Sequence, residues 1–165
     1  DQDNALSLSE NQENLGNAWF IESLVKVENN NQEILMLNEL DYSKTCLSTM
    51  LENKKYEYDS NNSIKLISRK SNELVYEYNS SSENFVVFSE AFYSRGWESY
   101  IDDIKVNHNK VNYLLRGMEV PKGKHNIKFI FNPSVIKKGS VIMASSNFLL
   151  LILIGLYFKR KLAHV

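Results

Sequence analysis

A chain of 165 residues, 43% hydrophobic and 12% aromatic, is long enough for one domain with a real core and too apolar for wholesale disorder. Its formal net charge of −1 hides an asymmetry: residues 137–165 carry five bases and no acid, leaving fourteen bases against twenty acids in residues 1–136. That acidic portion is a poor partner for nucleic acid, and the lone Cys46 rules out an internal disulfide or a cysteine metal cage.

The chain opens at Asp1 with no signal peptide, so a removed leader or a longer parent chain is expected. Residues 1–14 are polar and expected to be mobile. Ala18 to Val27 reads as one or two strands. Gln32 to Leu40 reads as a short helix, with Asn30 or Asn31 as cap and Ile34, Leu37 and Leu40 on its inner face. Ser63 to Arg69 and Leu74 to Tyr78 alternate as a hairpin, placing Leu74, Tyr76 and Tyr78 on one face. Phe85 to Phe88 is apolar on both faces, as an interior strand would be.

Phe92 and Tyr93 end that strand, Ser94, Arg95 and Gly96 turn the chain, and Trp97 begins the next. Trp97, Ser99 and Ile101 then share one face, opposite Glu98 and Tyr100. Asp102 and Asp103 fill a two-residue turn. Val111 to Arg116 alternates as one further strand, and Ile127 to Asn132 as the last, with Pro121 and Gly123 supplying a turn between them. Close-set strands without helical intervals predict an antiparallel β-sandwich-like fold.

Ser140 to Phe158 is nineteen residues without a charge, about 28 Å as a helix and enough to cross the hydrocarbon of a bilayer. Lys137 and Lys138 precede it, Lys159, Arg160 and Lys161 follow it, and Tyr157 and Phe158 stand where interfacial aromatics belong. Ser145, Ser146 and Asn147 suggest hydrogen bonding to other transmembrane helices. The expected plan is a mobile segment 1–14, a β domain over 15–136, a span over 139–159 and a basic cytoplasmic tail over 160–165.

Few residues point to chemistry. His108 and His125 sit near turns and are read as solvent-exposed turn residues rather than metal ligands. Glu90 and Glu98 have the form of a glycosidase carboxylate pair, against the simpler reading of acids on a strand's wet face. Trp97, Tyr100 and Tyr93 are the candidate contacts for a glycan or partner, set against plain core packing of aromatics. Arg116 either pairs with an acid such as Asp102 or Glu119 or meets an anionic ligand. No catalytic, metal or cofactor residue is assigned.

The stretch FYSRGWESYIDD resembles the Y-x-x-G-W-x-x-Y-I-D-G pattern of the YfhO family of large bacterial membrane proteins. The resemblance continues in VNYLLRGMEVPKGKHNIKFIFNP, in LGNAWFI, in NELVYEYN, and in the terminal span and basic tail. Asp103 stands where that family usually has glycine and Ser94 where proline is common, both at turns. The resemblance implies the C-terminal part of a glycosyltransferase-like protein of the GT-C type. Such a protein uses a lipid-linked sugar on the outer side of the membrane and, in Gram-positive relatives, glycosylates teichoic acids. The essential acid of such enzymes lies in an early loop, so no catalytic residue is carried over to this segment.

The expectation is therefore a non-catalytic extracytoplasmic accessory domain plus the last span of a polytopic protein. Its partners would be the lipid bilayer, other transmembrane helices, and a cell-surface glycan or lipid-linked sugar. The alternative is a membrane-anchored glycan-binding or structural module, and a third reading is a tail-anchored cytosolic protein.

Overall fold

The computed structural model describes residues 14–162. Apart from Asn14, the polar segment 1–14 lies outside the described residues, as do the side chains of Lys137, Tyr157, Phe158, Lys161 and Leu162. Twelve strands and two helices follow in order: β1 Ala18–Phe20, β2 Ser23–Lys26, α1 Asn30–Leu37, β3 Thr45–Ser48, β4 Lys54–Lys55, β5 Ser63–Lys70 and β6 Glu73–Ser80. Then come β7 Asn84–Ala91, β8 Trp97–Ile101, β9 Ile104–Val106, β10 Asn109–Val111, β11 Leu115–Val120, β12 Gly123–Phe131 and α2 Ser134–Leu162.

Three sheets form, in the orders β1-β7-β11-β10, β5-β6-β12-β8-β9 and β3-β2-β4. The first is the middle layer, because β7 is apolar on both sides. Val86 and Phe88 pack with Leu74, Tyr76, Ile127 and Phe129 of the five-stranded sheet. Phe85 and Val87 pack with Leu24, Cys46 and Tyr56 on the three-stranded side. Tyr76, Phe88 and Phe129 meet edge-on with centroids 4.9 to 6.2 Å apart, the favoured geometry for buried rings.

The hairpins follow the expected alternation. Leu74, Tyr76 and Tyr78 all face inward, and the β5–β6 turn is Ser71-Asn72. Asp102 and Asp103 join β8 to β9 with φ of 47° and 66°, the paired left-handed conformation of a type I′ turn. Glycine would hold Asp103's position with less strain.

Several expectations need correcting. The sandwich is antiparallel except for one parallel pair, β2 with β3. Parallel neighbours need a long crossover, and α1 supplies it. Helix α1 starts two residues earlier than expected, at Asn30, with Asn29 as N-cap accepting from the Gln32 N–H, and it ends at Leu37 rather than Leu40. Its inward residue is Glu33, fully buried, while Ile34 and Leu35 face solvent. Val111 to Arg116 is not one strand: the chain reverses at Asn112 and Tyr113, both with positive φ, and β10 and β11 pair as a hairpin. Tertiary bonds impose that reversal. Asn112 exchanges two bonds with the Leu47 backbone, and the Glu33 carboxylate accepts from the Tyr113 N–H at 2.8 Å.

Helix α2 runs on from β12 through Asn132 and Pro133, and its described side chains are exposed from Ser134 to Arg160. Residues Ser134–Leu156 are long and apolar enough to cross a membrane. Ser145 and Ser146 donate to the carbonyls of Val141 and Ile142, so these hydroxyls are satisfied within α2 and do not themselves call for a neighbouring helix.

Candidate functional site

Two open clefts flank Trp97, sharing Ser94, Trp97 and Glu98 as walls. One, of about 350 Å³, runs toward Lys105 and His108; the other, of about 500 Å³, runs past Gly96 and Asn132 to Ser134 and Val135 in the first turn of α2. The turn that opens β8 is held to the end of β12 by the Asn132 N–H, which donates to the Gly96 carbonyl at 2.7 Å. Gly96 is required by close approach, since a Cβ there would lie 2.2 Å from the Phe131 ring.

Trp97 is half-buried between two partners. The Arg116 guanidinium carbon sits 4.3 Å from the centre of its ring system, and the Phe131 ring centre lies 5.2 Å away. Arg116 is 2% exposed and donates through Nε to the Ala91 carbonyl, while its Nη1 has no hydrogen-bond partner. Burial pulls its pKa down, against the opposing pull of Glu90 and Tyr76. It therefore pairs with neither Asp102 nor Glu119, as the sequence had offered. Asp102 is bonded to His125 and to the Asn126 N–H, and Glu119 accepts from Lys54 and Tyr56. A π-stacked guanidinium tolerates burial without a carboxylate better than an ammonium would.

His108 also departs from the exposed turn residue it was expected to be. It is half-buried against Phe92 and Phe129, with Nδ1 2.9 Å from Ser99 Oγ. Ser99 Oγ donates its own hydrogen to the Val106 carbonyl, so the hydrogen between Ser99 and His108 belongs to Nδ1. Nε2 is then left as a bare, buried acceptor. Burial, reinforced by the Arg116 charge, pushes the His108 pKa down to about 4, so the ring is neutral at physiological pH.

Glu98 is the reverse case. It accepts from Lys105 Nζ at 2.6 Å, from Asn132 Nδ2 at 3.2 Å and from the Tyr100 hydroxyl at 3.0 Å, which together hold its carboxyl down to about 2. Glu98 is thus an ionised acceptor on the cleft wall at neutral pH, and Glu90 is occupied by Arg69. The two acids are committed to separate partners rather than acting as a pair.

Of the four candidate contacts, the structure joins Trp97 directly to Arg116, and Tyr93 to Trp97 through Phe131, whose ring centre is 6.4 Å from that of Tyr93. Tyr93 is 50% exposed. Tyr100 lies on the opposite face of β8 and is linked to the cleft only through Glu98. Phe131, Asn132, Lys105 and His108 were missed. Lys105 was legible, because a turn at Asp102-Asp103 sets Tyr100 opposite Lys105 and makes Glu98 its diagonal neighbour. Cys46 is fully buried and burial pushes its thiol pKa up, so impermeant thiol labelling cannot report which side of the membrane the domain occupies. Among the described residues no three His, Cys, Asp or Glu side chains converge as a metal site.

Neither a curated protein nor a solved structure matches the chain. The family described as bacterial membrane protein YfhO matches residues 31–143, which take in α1, both clefts beside Trp97 and the first turns of α2. With more than half of its length so matched, and with a helix able to cross a bilayer, this chain belongs to the YfhO family of bacterial membrane proteins.

Proposed function

We propose that the β domain stands on the extracytoplasmic face of the membrane as a non-catalytic accessory domain of a polytopic YfhO-type protein. There it assists transfer of a sugar from a lipid-linked donor to a cell-surface polymer. The observation that carries this reading is the position of the Trp97 clefts, the larger of which reaches Ser134 and Val135 at the start of the span. A chain lying in them would be held at the level where a lipid-linked donor presents its sugar.

The chemistry suits a carbohydrate. Trp97 lines both clefts and Tyr93, next to their wall at Ser94, is half-exposed, while the ionised Glu98 and the Lys105 ammonium offer an acceptor and donors for hydroxyls. Glu98, held at a pKa of about 2, has no proton to give as a general acid at neutral pH, which favours holding the acceptor over cleaving or transferring it. The three bases after the charge-free run against two before it favour a cytoplasmic tail and hence an outside domain.

The test is made in the full-length protein in its native membrane. Trp97→Phe and Glu98→Gln should each lower glycan modification of the cell surface while protein abundance stays unchanged. Modification at the unaltered level in both variants would reject the accessory role. A free-standing glycan-binding module is favoured instead by the half-exposed Tyr93 if the purified chain binds a glycan array and loses that binding in Trp97→Phe.

A further inference from the structure

We infer that the end of the β domain from which α2 leaves rests in the headgroup layer of the bilayer, with Tyr93, Arg95 and Leu114 as its lipid contacts. This goes beyond the proposed role in sugar transfer and does not depend on it.

Strand direction and a chain of bonds define that end. β12 runs toward α2 and finishes with Phe131 opposite Trp97, so the Ser94–Gly96 turn lies beside the start of the helix. Asn132 ties that turn to the helix through Gly96, and the Phe92 N–H donates to the Leu114 carbonyl at 2.7 Å. The β10–β11 loop is therefore at the same level, in the neighbouring sheet. Leu115 of that hairpin stands opposite Ala91, the last residue of β7, so β7 ends and β11 begins at this level within the one sheet.

The side chains on this end are unlike those of an ordinary wet loop. Tyr93 is 50% exposed and Leu114 is 55% exposed, and neither shields a core. Arg95 is exposed and makes no ion pair among the described residues, whereas Arg69 and Lys70 beside the same end are paired to Glu90 and Glu73. An amphipathic ring, an aliphatic side chain and an uncommitted guanidinium suit an interface of acyl chains and phosphates.

Helix geometry brings this end to the required depth. If the hydrocarbon begins at Ser134, where the apolar span begins, contact is direct. If it begins at Ser140, where the charge-free run begins, six residues lift the domain about 9 Å, against a headgroup layer of roughly 5–8 Å that long Tyr and Arg side chains reach. Val135 and Ile136, both exposed and apolar in the first turn of α2, are better placed in the same layer than in water.

The test uses the full chain in phosphatidylcholine–phosphatidylglycerol vesicles containing a lipid with a nitroxide on its headgroup. Tyr93→Cys and Leu114→Cys carry an environment-sensitive fluorophore; Arg95→Cys is a third reporter should either fail to fold. Lys122→Cys is the control, since it precedes β12 at its far end, about 30 Å from Phe131 at the strand rise. The buried Cys46 is left in place. The expected result is loss of emission at 93 and 114 on adding the nitroxide lipid and none at 122. Unquenched reporters at 93 and 114, or equal quenching at 122, would overturn the inference. So would photo-crosslinking from position 93 in native membranes that captures only protein, since that would place a helix where lipid is claimed.

Discussion

Gly117 lies in β11 with the ring of Phe85 across its Cα, and Gly117→Ala should destabilise the domain by steric overlap alone. A Cβ there would stand 2.5 Å from Phe85 Cε1, 2.8 Å from Cζ and 3.0 Å from Val111 Cγ2. Carbon atoms rest at about 3.5–4.0 Å, so the ring must retreat by roughly 1 Å. It has nowhere to go: Phe85 is 1% exposed and packed against Tyr56, 6.0 Å away between ring centres. Overpacking of this kind costs about 1–3 kcal/mol, offset by about 0.5–1 kcal/mol from the lower backbone entropy of alanine in the unfolded chain. The net loss should be about 1–2 kcal/mol, or roughly 3–6 °C in Tm for a chain of this size. Urea unfolding of the full chain in detergent micelles, followed by tryptophan fluorescence, reads it directly. Phe85→Leu removes the obstructing edge, so the double variant should lose at least about 1 kcal/mol less than the two single losses added together. Additivity within about 0.5 kcal/mol would refute the steric account.

Two further outcomes come from groups that the core has swallowed. Glu33→Ala takes away the acceptor of the part-buried Tyr113 N–H and should cost about 2 kcal/mol, whereas Glu33→Gln keeps an acceptor and should cost about half that; equal losses would show that the bond at 2.8 Å does not hold the Asn112–Leu114 turn. His108 is neutral in the fold with a pKa of about 4, below its ordinary 6.5. Its contribution is complete above pH 6.5 and is lost as pH falls toward 4, where the unfolded chain takes up the proton first, a loss of order 2–3 kcal/mol. His108→Gln should flatten that limb of the urea midpoint against pH, and an unchanged slope between pH 6.5 and 4 would count against the burial argument. Glu98, with its pKa depressed to about 2, acts in a separate window below pH 4.5.

Much of the fold is legible wherever a pattern is local. The alternation of Leu74, Tyr76 and Tyr78 names the inner face of β6, and the two-sided apolar run Phe85 to Phe88 marks the strand with a sheet on each face. The uncharged run from Ser140 to Phe158 needs no tertiary knowledge, because its length and composition already match a bilayer. The Trp97 site is half legible: its aromatic residues stand out, but their partners do not.

What the tertiary structure alone decides are matters of partners far apart in the chain. Glu33 turns inward, against every periodicity rule, because a backbone N–H eighty residues away needs an acceptor. The chain reverses at Asn112 and Tyr113 instead of continuing as a strand because Asn112 is bonded to Leu47, sixty-five residues before it. Arg116 and His108 are ordinary polar residues in sequence, and it is Trp97 and Phe129 closing over them that strip their water and shift their proton affinities. Hydrophobic period is carried by neighbours one or two residues apart and so survives in the sequence; desolvation and long-range hydrogen bonding exist only once distant strands have met.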